Sequence, residues 1–239
     1  MEAATNHLVN WSEYSKTYNL LLQFNPAYQA VVGDFKKFLT TLPPPKKVLD
    51  IGAGTGNYSL ALLEKYPDCT VDLVELDAGM AAIAKDKTKQ YPNANVFIGN
   101  IDDHDWSSYD LVVAVHALYV MPNYEEVISK ISESLSGSNG RAYICDIGRV
   151  IDVPDWRKYI AKSIYRTHGL SKTISILWKG RRIAKENISI SEKQRSGEYW
   201  SHSKDEFLSV LRRNGLDVVD YSPMYRDCSD RVLAKRLEQ

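Results

Sequence analysis

Residues Val48-Leu49-Asp50-Ile51-Gly52-Ala53-Gly54-Thr55-Gly56-Asn57 run from a short apolar stretch through an acid into a glycine-dense turn, and an amphipathic segment, Tyr58 to Tyr66, follows at once. That order predicts a buried strand, a tight loop and a helix. Glycine in the loop permits positive φ and removes the Cβ that would keep a ligand off the backbone. The helix start supplies N–H groups beside the loop. The same rhythm continues along the chain, with strands expected near 47–52, 70–75, 95–99, 110–115 and 142–147 and helices near 57–66, 78–90 and 123–135. Apolar strands alternating with helices imply a parallel sheet covered on both faces.

Before this region, Trp11, Tyr14, Tyr18 and Leu21 fall at helical spacing. Asn25-Pro26 then caps a second helix carrying Tyr28, Val31, Val32, Phe35, Phe38, Leu39 and Leu42, which Pro43-Pro44-Pro45 ends. Asn123 with Glu126 resembles a capping box for the helix near 123. After Ile147 the strand rhythm stops, and residues 149–202 read as helical pieces. This window holds twelve Lys/Arg against five Asp/Glu, an excess of seven positive charges in a chain whose formal net charge is zero. Ser203 caps a further helix that Gly215 ends, and strands near 216–222 and 231–236 follow as a hairpin-like pair.

The spacing of the glycines separates two kinds of ligand. A dinucleotide loop needs G-x-G-x-x-G, whereas here the position of the third glycine is Asn57 and glycine stands one residue early, at Gly56. Asp50 also precedes the loop. Both features argue against a nicotinamide oxidoreductase. The second strand, Val71-Asp72-Leu73-Val74-Glu75, ends in a carboxylate about 20 residues after the glycines, the distance at which an acid accepts ribose hydroxyls. Asp77 reads as the cap of the next helix.

These stretches together resemble the class I S-adenosylmethionine-dependent methyltransferases. Val48–Gly56 is similar to their first motif and Val74-Glu75-Leu76-Asp77-Ala78-Gly79-Met80 to their second. Gly99-Asn100-Ile101-Asp102-Asp103 is similar to the third, which usually reads Gly-Asp-Ala, and Tyr109-Asp110-Leu111-Val112-Val113 through Met121-Pro122 to the fourth. The resemblance implies a Rossmann-like, seven-stranded, mostly parallel sheet with one antiparallel C-terminal strand, helices on both faces and a small cap. It divides the chain into an N-terminal lid and helix (1–45), the cofactor-binding half of the core (46–148), a cap insertion that would bind the acceptor (149–202), and a C-terminal helix and strand hairpin (203–239).

The resemblance also implies roles in binding S-adenosylmethionine and releasing S-adenosylhomocysteine. Asp50 would sit by the methionine ammonium. Gly52, Ala53, Gly54 and Gly56 would let backbone approach the methionine and ribose. Glu75 would take the ribose hydroxyls, and Leu76 and Met80 would pack on the adenine. Asn100, replacing the usual aspartate, would accept from the adenine amino group without a charge-assisted bond. The Ile101 backbone would meet the adenine edge, and Val115 would lie beneath the methionine part. His116 and Tyr119 follow the fourth strand and are the candidates for catalysis, each with a packing role as its structural alternative. Trp11, Tyr14 and Tyr18 are the candidates for a lid over the cofactor or acceptor.

The expected reaction is methyl transfer to a small-molecule acceptor, with an anionic acceptor or a carrier-protein partner suggested by the basic window. Alternatives are a methyltransferase acting on RNA or protein and a non-catalytic cofactor-binding protein. Neutral net charge gives no global field for nucleic acid or membrane. The first residues show no basic-then-apolar signal pattern, no run reaches the ~20 apolar residues of a membrane span, and Cys69, Cys145 and Cys228 lie far apart. The expectation is therefore a cytoplasmic protein with reduced thiols and no metal, as a monomer or homodimer.

Overall fold

The computed structural model describes Tyr18, Leu20 and residues 23–238. Trp11 and Tyr14 lie outside the described residues. Seven strands form one sheet: β1 (Lys47–Ile51), β2 (Thr70–Glu75), β3 (Ala94–Ile98), β4 (Leu111–Val115), β5 (Arg141–Ile147), β6 (Leu216–Met224) and β7 (Ser229–Arg236), in the spatial order β3-β2-β1-β4-β5-β7-β6. All pairings through β5 are parallel, and β7 runs antiparallel to both of its neighbours. The helices are α1 (Pro26–Thr41), α2 (Asn57–Lys65), α3 (Ala78–Thr88), α4 (Tyr124–Ser134), α5 (Val153–Lys179), α6 (Arg181–Ser196) and α7 (Lys204–Arg213). No helix among the described residues is long and apolar enough to cross a membrane.

The central strands are apolar on both faces, because successive side chains point to opposite sides of the pleat. Val48, Val71, Leu111, Val113 and Tyr143 face one core, which α1 and α2 cover with Phe35, Leu39, Tyr58 and Leu62. Leu49, Val112, Ala114 and Ile144 face the other, which α4 and α7 cover with Val127, Ile131, Phe207 and Leu211. Asn25 caps α1, its Oδ1 accepting from the Ala27 and Tyr28 N–H groups at 3.1 and 3.4 Å. The ring of Phe35 then meets Tyr143 of β5 edge-on at 4.9 Å, and the Tyr143 hydroxyl donates to Asp34 at 2.8 Å. These contacts hold α1 against the middle of the sheet.

The cap is more regular than its sequence suggests. It consists of two long helices, α5 and α6, packed on each other. Asp152 caps α5, accepting from the Asp155 N–H at 3.0 Å. Gly169 interrupts α5 at φ 77° and ψ 178°, so the helix is broken there. The turn between β6 and β7 is also unusual. Tyr225, Arg226 and Asp227 all adopt left-handed φ, between 54° and 61°, a region non-glycine residues seldom occupy.

Candidate active site

The strand order reverses at β1: β2 and β3 extend to one side, and β4 lies on the other. Loops leaving the carboxyl ends of β1 and β4 therefore diverge and open a crevice, the usual ligand position in such sheets. A cavity of about 720 Å³ occupies it. Its wall is built from the turns after β1, β2, β3 and β4, with Tyr18 and Tyr28 on a further side.

The glycine loop is shaped by contacts as well as by conformation. Gly52 has φ 62°, and a Cβ placed there would come within 2.7 Å of the Ala117 Cβ. The Gly54 N–H donates to Glu75 Oε2 at 2.7 Å, and the Asp77 N–H donates to Glu75 Oε1 at 2.8 Å. Glu75 thus ties the first loop to the second, and each oxygen keeps a lone pair for a ligand hydroxyl. Burial pushes its carboxyl above the ordinary range, against the lowering effect of those N–H groups. Asp50 is only 3% exposed and accepts from Ser59 Oγ at 2.5 Å. Burial raises its pKa to about 7, the Ser59 bond opposes the rise, and the charge of Glu75 adds to it. Two buried carboxyls facing one cavity, with no lysine or arginine among the described residues of its wall, suit a cationic ligand that offers hydroxyls.

Residues 49–141, which contain all four turns of this wall, match the family model described as a methyltransferase domain. Over these residues the chain is similar to methyltransferase domains. Trans-aconitate 2-methyltransferase of Deinococcus radiodurans is 30% identical over 113 residues, which is 47% of this chain and 42% of that protein. Malonyl-[acyl-carrier protein] O-methyltransferase 1 of Ilyobacter polytropus is 26% identical over 43% of this chain and 38% of its own length. The chain thus spans well under half of these two curated relatives. Among solved structures, an O-methyltransferase-like protein of Nostoc punctiforme superposes over 94% of this chain and 59% of its own, with a TM-score of 0.63 at 17% identity. A chain from the complex of the Haloferax volcanii Trm112 methyltransferase activator with a methyltransferase superposes over 97% of this chain and all of its own, with a TM-score of 0.66 at 12% identity. At such identities the likeness is one of fold.

Within the matched residues, Asp50, Gly52, Ala53, Gly54, Glu75, Leu76, Met80, Asn100, Ile101, Val115 and His116 line the cavity, as does Tyr18 beyond them. Leu76 is 72% exposed at the rim. Asn100 spends part of its polarity locally, Oδ1 accepting from the Asp102 N–H at 3.3 Å. Gly56 is not on the wall. It has φ 74°, and its Cα face lies against α3, where a Cβ would come within 3.0 Å of the Ala84 Cβ. The backbone contact to cofactor expected of Gly56 is thereby corrected to close packing of helix on helix.

Tyr119 is likewise not on the wall. Residues Leu118–Val120 form a 3-10 turn, in which positions three apart share a face. Ala117 and Val120 therefore line the cavity, and Tyr119 turns away to pack edge-on against Tyr199 at 5.8 Å. That geometry corrects the catalytic placement expected for Tyr119. His116 does line the cavity but in an unexpected state. It has φ 53°, its Nε2 lies 2.9 Å from Ser229 Oγ, and its ring meets Tyr225 at 4.9 Å. Burial lowers its pKa to about 4, so it is neutral at physiological pH.

Two other parts of the wall, and one contact behind it, were not read from the sequence as belonging to the site. Tyr28 and Tyr58 face the cavity from α1 and α2, and the Tyr28 hydroxyl accepts from Asn57 Nδ2 at 3.3 Å. Tyr58 directly follows the glycine loop, a position that could have signalled it. Lys87 of α3 reaches Thr55 Oγ1 at 3.1 Å and Asn57 Oδ1 at 2.5 Å, pinning the end of the loop. Asn123 occupies the cap position of α4 without capping it through its side chain. Its amide instead donates to both Asp102 oxygens at 2.9 Å, joining the turn after β3 to the turn after β4. His202 is fully buried between Asp146 and Asp230, at 3.9 and 3.4 Å.

Proposed function

We propose that the protein transfers a methyl group from S-adenosylmethionine to a small-molecule acceptor. The observation that carries this reading is the cavity that joins all four motifs around two buried carboxyls, Asp50 and Glu75. When bound there, the cofactor supplies a methyl group on a positively charged sulfur that leaves as a neutral thioether. The residues present fit it. Asp50 holds a cationic ammonium, and Glu75 accepts from ribose hydroxyls while its backbone partners fix its orientation. Met80 and Ile101 are buried, so together with the exposed Leu76 they offer an apolar slot for a flat base. Val115 and the turn at Ala117 form the floor.

His116 does not supply strong base catalysis at neutral pH, because burial keeps its pKa near 4. Its role is to shape the wall, with Ser229 and Tyr225 holding its ring. Rate then comes from holding the acceptor in line in a site shielded from water, worth about 7–11 kcal/mol for well-placed reactants. Tyr18 and Tyr28, whose rings meet edge-on at 5.7 Å, supply part of that shield.

A second reading, a carrier-bound acceptor, is favoured by one observation. Arg157, Lys158, Arg181, Arg182 and Lys185 are all exposed on the two cap helices, and none of them lines the cofactor cavity. The similarity to a malonyl-[acyl-carrier protein] O-methyltransferase agrees with it. The basic charge thus suits a docking carrier better than an anionic group inside the cavity. Calorimetry with S-adenosylhomocysteine, followed by transfer of an isotope-labelled methyl group to a panel of small acceptors, tests the main reading. Absence of homocysteine-nucleoside binding would overturn it.

A further inference from the structure

Residues 156–185 hold nine Lys/Arg and no Asp or Glu, and all nine cations are exposed. They span most of α5 and the start of α6. The zero net charge of the chain conceals this run, because every balancing carboxylate lies outside it. The same stretch also exposes an apolar stripe. Leu170, Ile174 and Trp178 follow the break at Gly169 at four-residue spacing, so they stand on one helical face. They are 63, 60 and 62% exposed, and among the described residues nothing covers them.

The inner face of this segment is already used, since Thr173 and Ile176 are buried. A surface helix ordinarily keeps its outer face polar, and an exposed apolar patch marks a place where something binds. Cations border the stripe. The Arg181 guanidinium lies over the Trp178 ring at 4.2 Å. Lys185 and Ile188, both exposed, share the helical face of Arg181, being four and seven residues further on. At about 100° per residue, Lys172 and Lys179 fall on the flank of the stripe, past the small side chains of Ser171 and Ser175.

We propose that this face of the cap docks on an anionic lipid surface, with Leu170, Ile174 and Trp178 entering the boundary between headgroups and acyl chains and the bordering Lys and Arg meeting lipid phosphates. An anionic bilayer answers both features at once, negative charge outside and apolar depth beneath it. An acidic protein answers the charge but needs an apolar patch of matching shape as well. A second copy related by a two-fold axis would bring like charges face to face. The chain would lie on the membrane, since no described helix is long and apolar enough to cross it. The proposal stands independently of the methyl-transfer reading.

The test sediments the full-length protein with vesicles of phosphatidylcholine containing about one quarter phosphatidylglycerol, and with pure phosphatidylcholine vesicles as the control. Binding to the anionic vesicles should be saturable and at least about tenfold tighter than to the neutral ones. Ile174→Ser combined with Trp178→Ser should weaken it about tenfold or more and leave Tm unchanged, since both side chains are exposed. Acyl chains carrying bromine should quench the tryptophan emission of the native protein, and Trp178→Phe should remove most of that quenching. If the double variant melts early, the quenching decides alone. No vesicle binding, equal binding to both vesicle types, native-like binding by a double variant of normal Tm, or quenching unchanged by Trp178→Phe would each overturn the proposal. Light scattering that finds a native dimer and a monomeric double variant would give the stripe to a second copy. Binding of an acidic carrier protein without binding of vesicles would give the face to a protein. Either result overturns the lipid assignment.

Discussion

At the scale of single residues, Asp50 and Glu75 carry the sharpest expectations. Asp50 must be ionised to pair with a cationic ligand, and its pKa in the ligand-free protein is raised to about 7. Ligand affinity should therefore fall about tenfold per unit as pH drops below 7, and binding near pH 7 should release a proton. Calorimetry in buffers of different ionisation heat would show the release, and Asp50→Asn should abolish it. The ligand-free protein follows the opposite sign. A carboxyl with a raised folded pKa favours folding below the ordinary value of about 4, and that contribution is lost as pH climbs through 7. Glu75→Ala removes the acceptor for two backbone N–H groups as well as the proposed ribose contact. It should weaken nucleoside binding by about 2 kcal/mol, roughly thirtyfold in Kd. An unchanged Kd by calorimetry would refute the assignment. Both residues were legible in the sequence because they end apolar strands. Tyr119 was not, since the 3-10 turn that rotates it away leaves no mark in the residue pattern.

At the scale of elements, the strands and core helices could be read to within about two residues, because each combines an apolar period with a local cap. Asn25, Asp77 and Ser203 cap as their spacing suggests. Asn123 shows where such reading stops. Its amide finds a better partner in Asp102, 21 residues away in sequence, and local spacing cannot reveal a contact made through the fold. The cap helices were blurred for a different reason. They expose Leu170, Ile174 and Trp178, so their apolar residues do not mark one buried face. Gly56 yields an element-scale prediction. Gly56→Ala combines left-handed strain with the close approach to Ala84, and should cost about 2 kcal/mol. In a chain of this length that lowers Tm by about 4–8 °C in a thermal melt. Because Gly56 lies off the wall, nucleoside affinity well below the melt should change little.

At the scale of the whole molecule, charge is partitioned: the 149–202 window carries seven excess positive charges and the remainder seven negative. If the basic cap surface docks a carrier, reversing Arg181, Arg182 and Lys185 together to Glu should leave nucleoside binding and small-acceptor turnover intact. The same change should raise KM for a carrier-bound acceptor about tenfold or more at low salt, and added salt should erase the difference. The sheet order has another consequence at this scale. β7 lies between β5 and β6, although it follows both in the chain. During synthesis, residues 47–147 can leave the ribosome and pair as β1 to β5 while the backbone edge of Arg141–Ile147 still has no neighbour. That edge is apolar and would template pairing with other nascent chains. The interval before Ser229–Arg236 emerges is therefore the period in which this edge stands open to pairing with another chain. A premature stop that removes β7 would strand the chain in that state, with its four cofactor turns already made and an open sheet edge ready to aggregate.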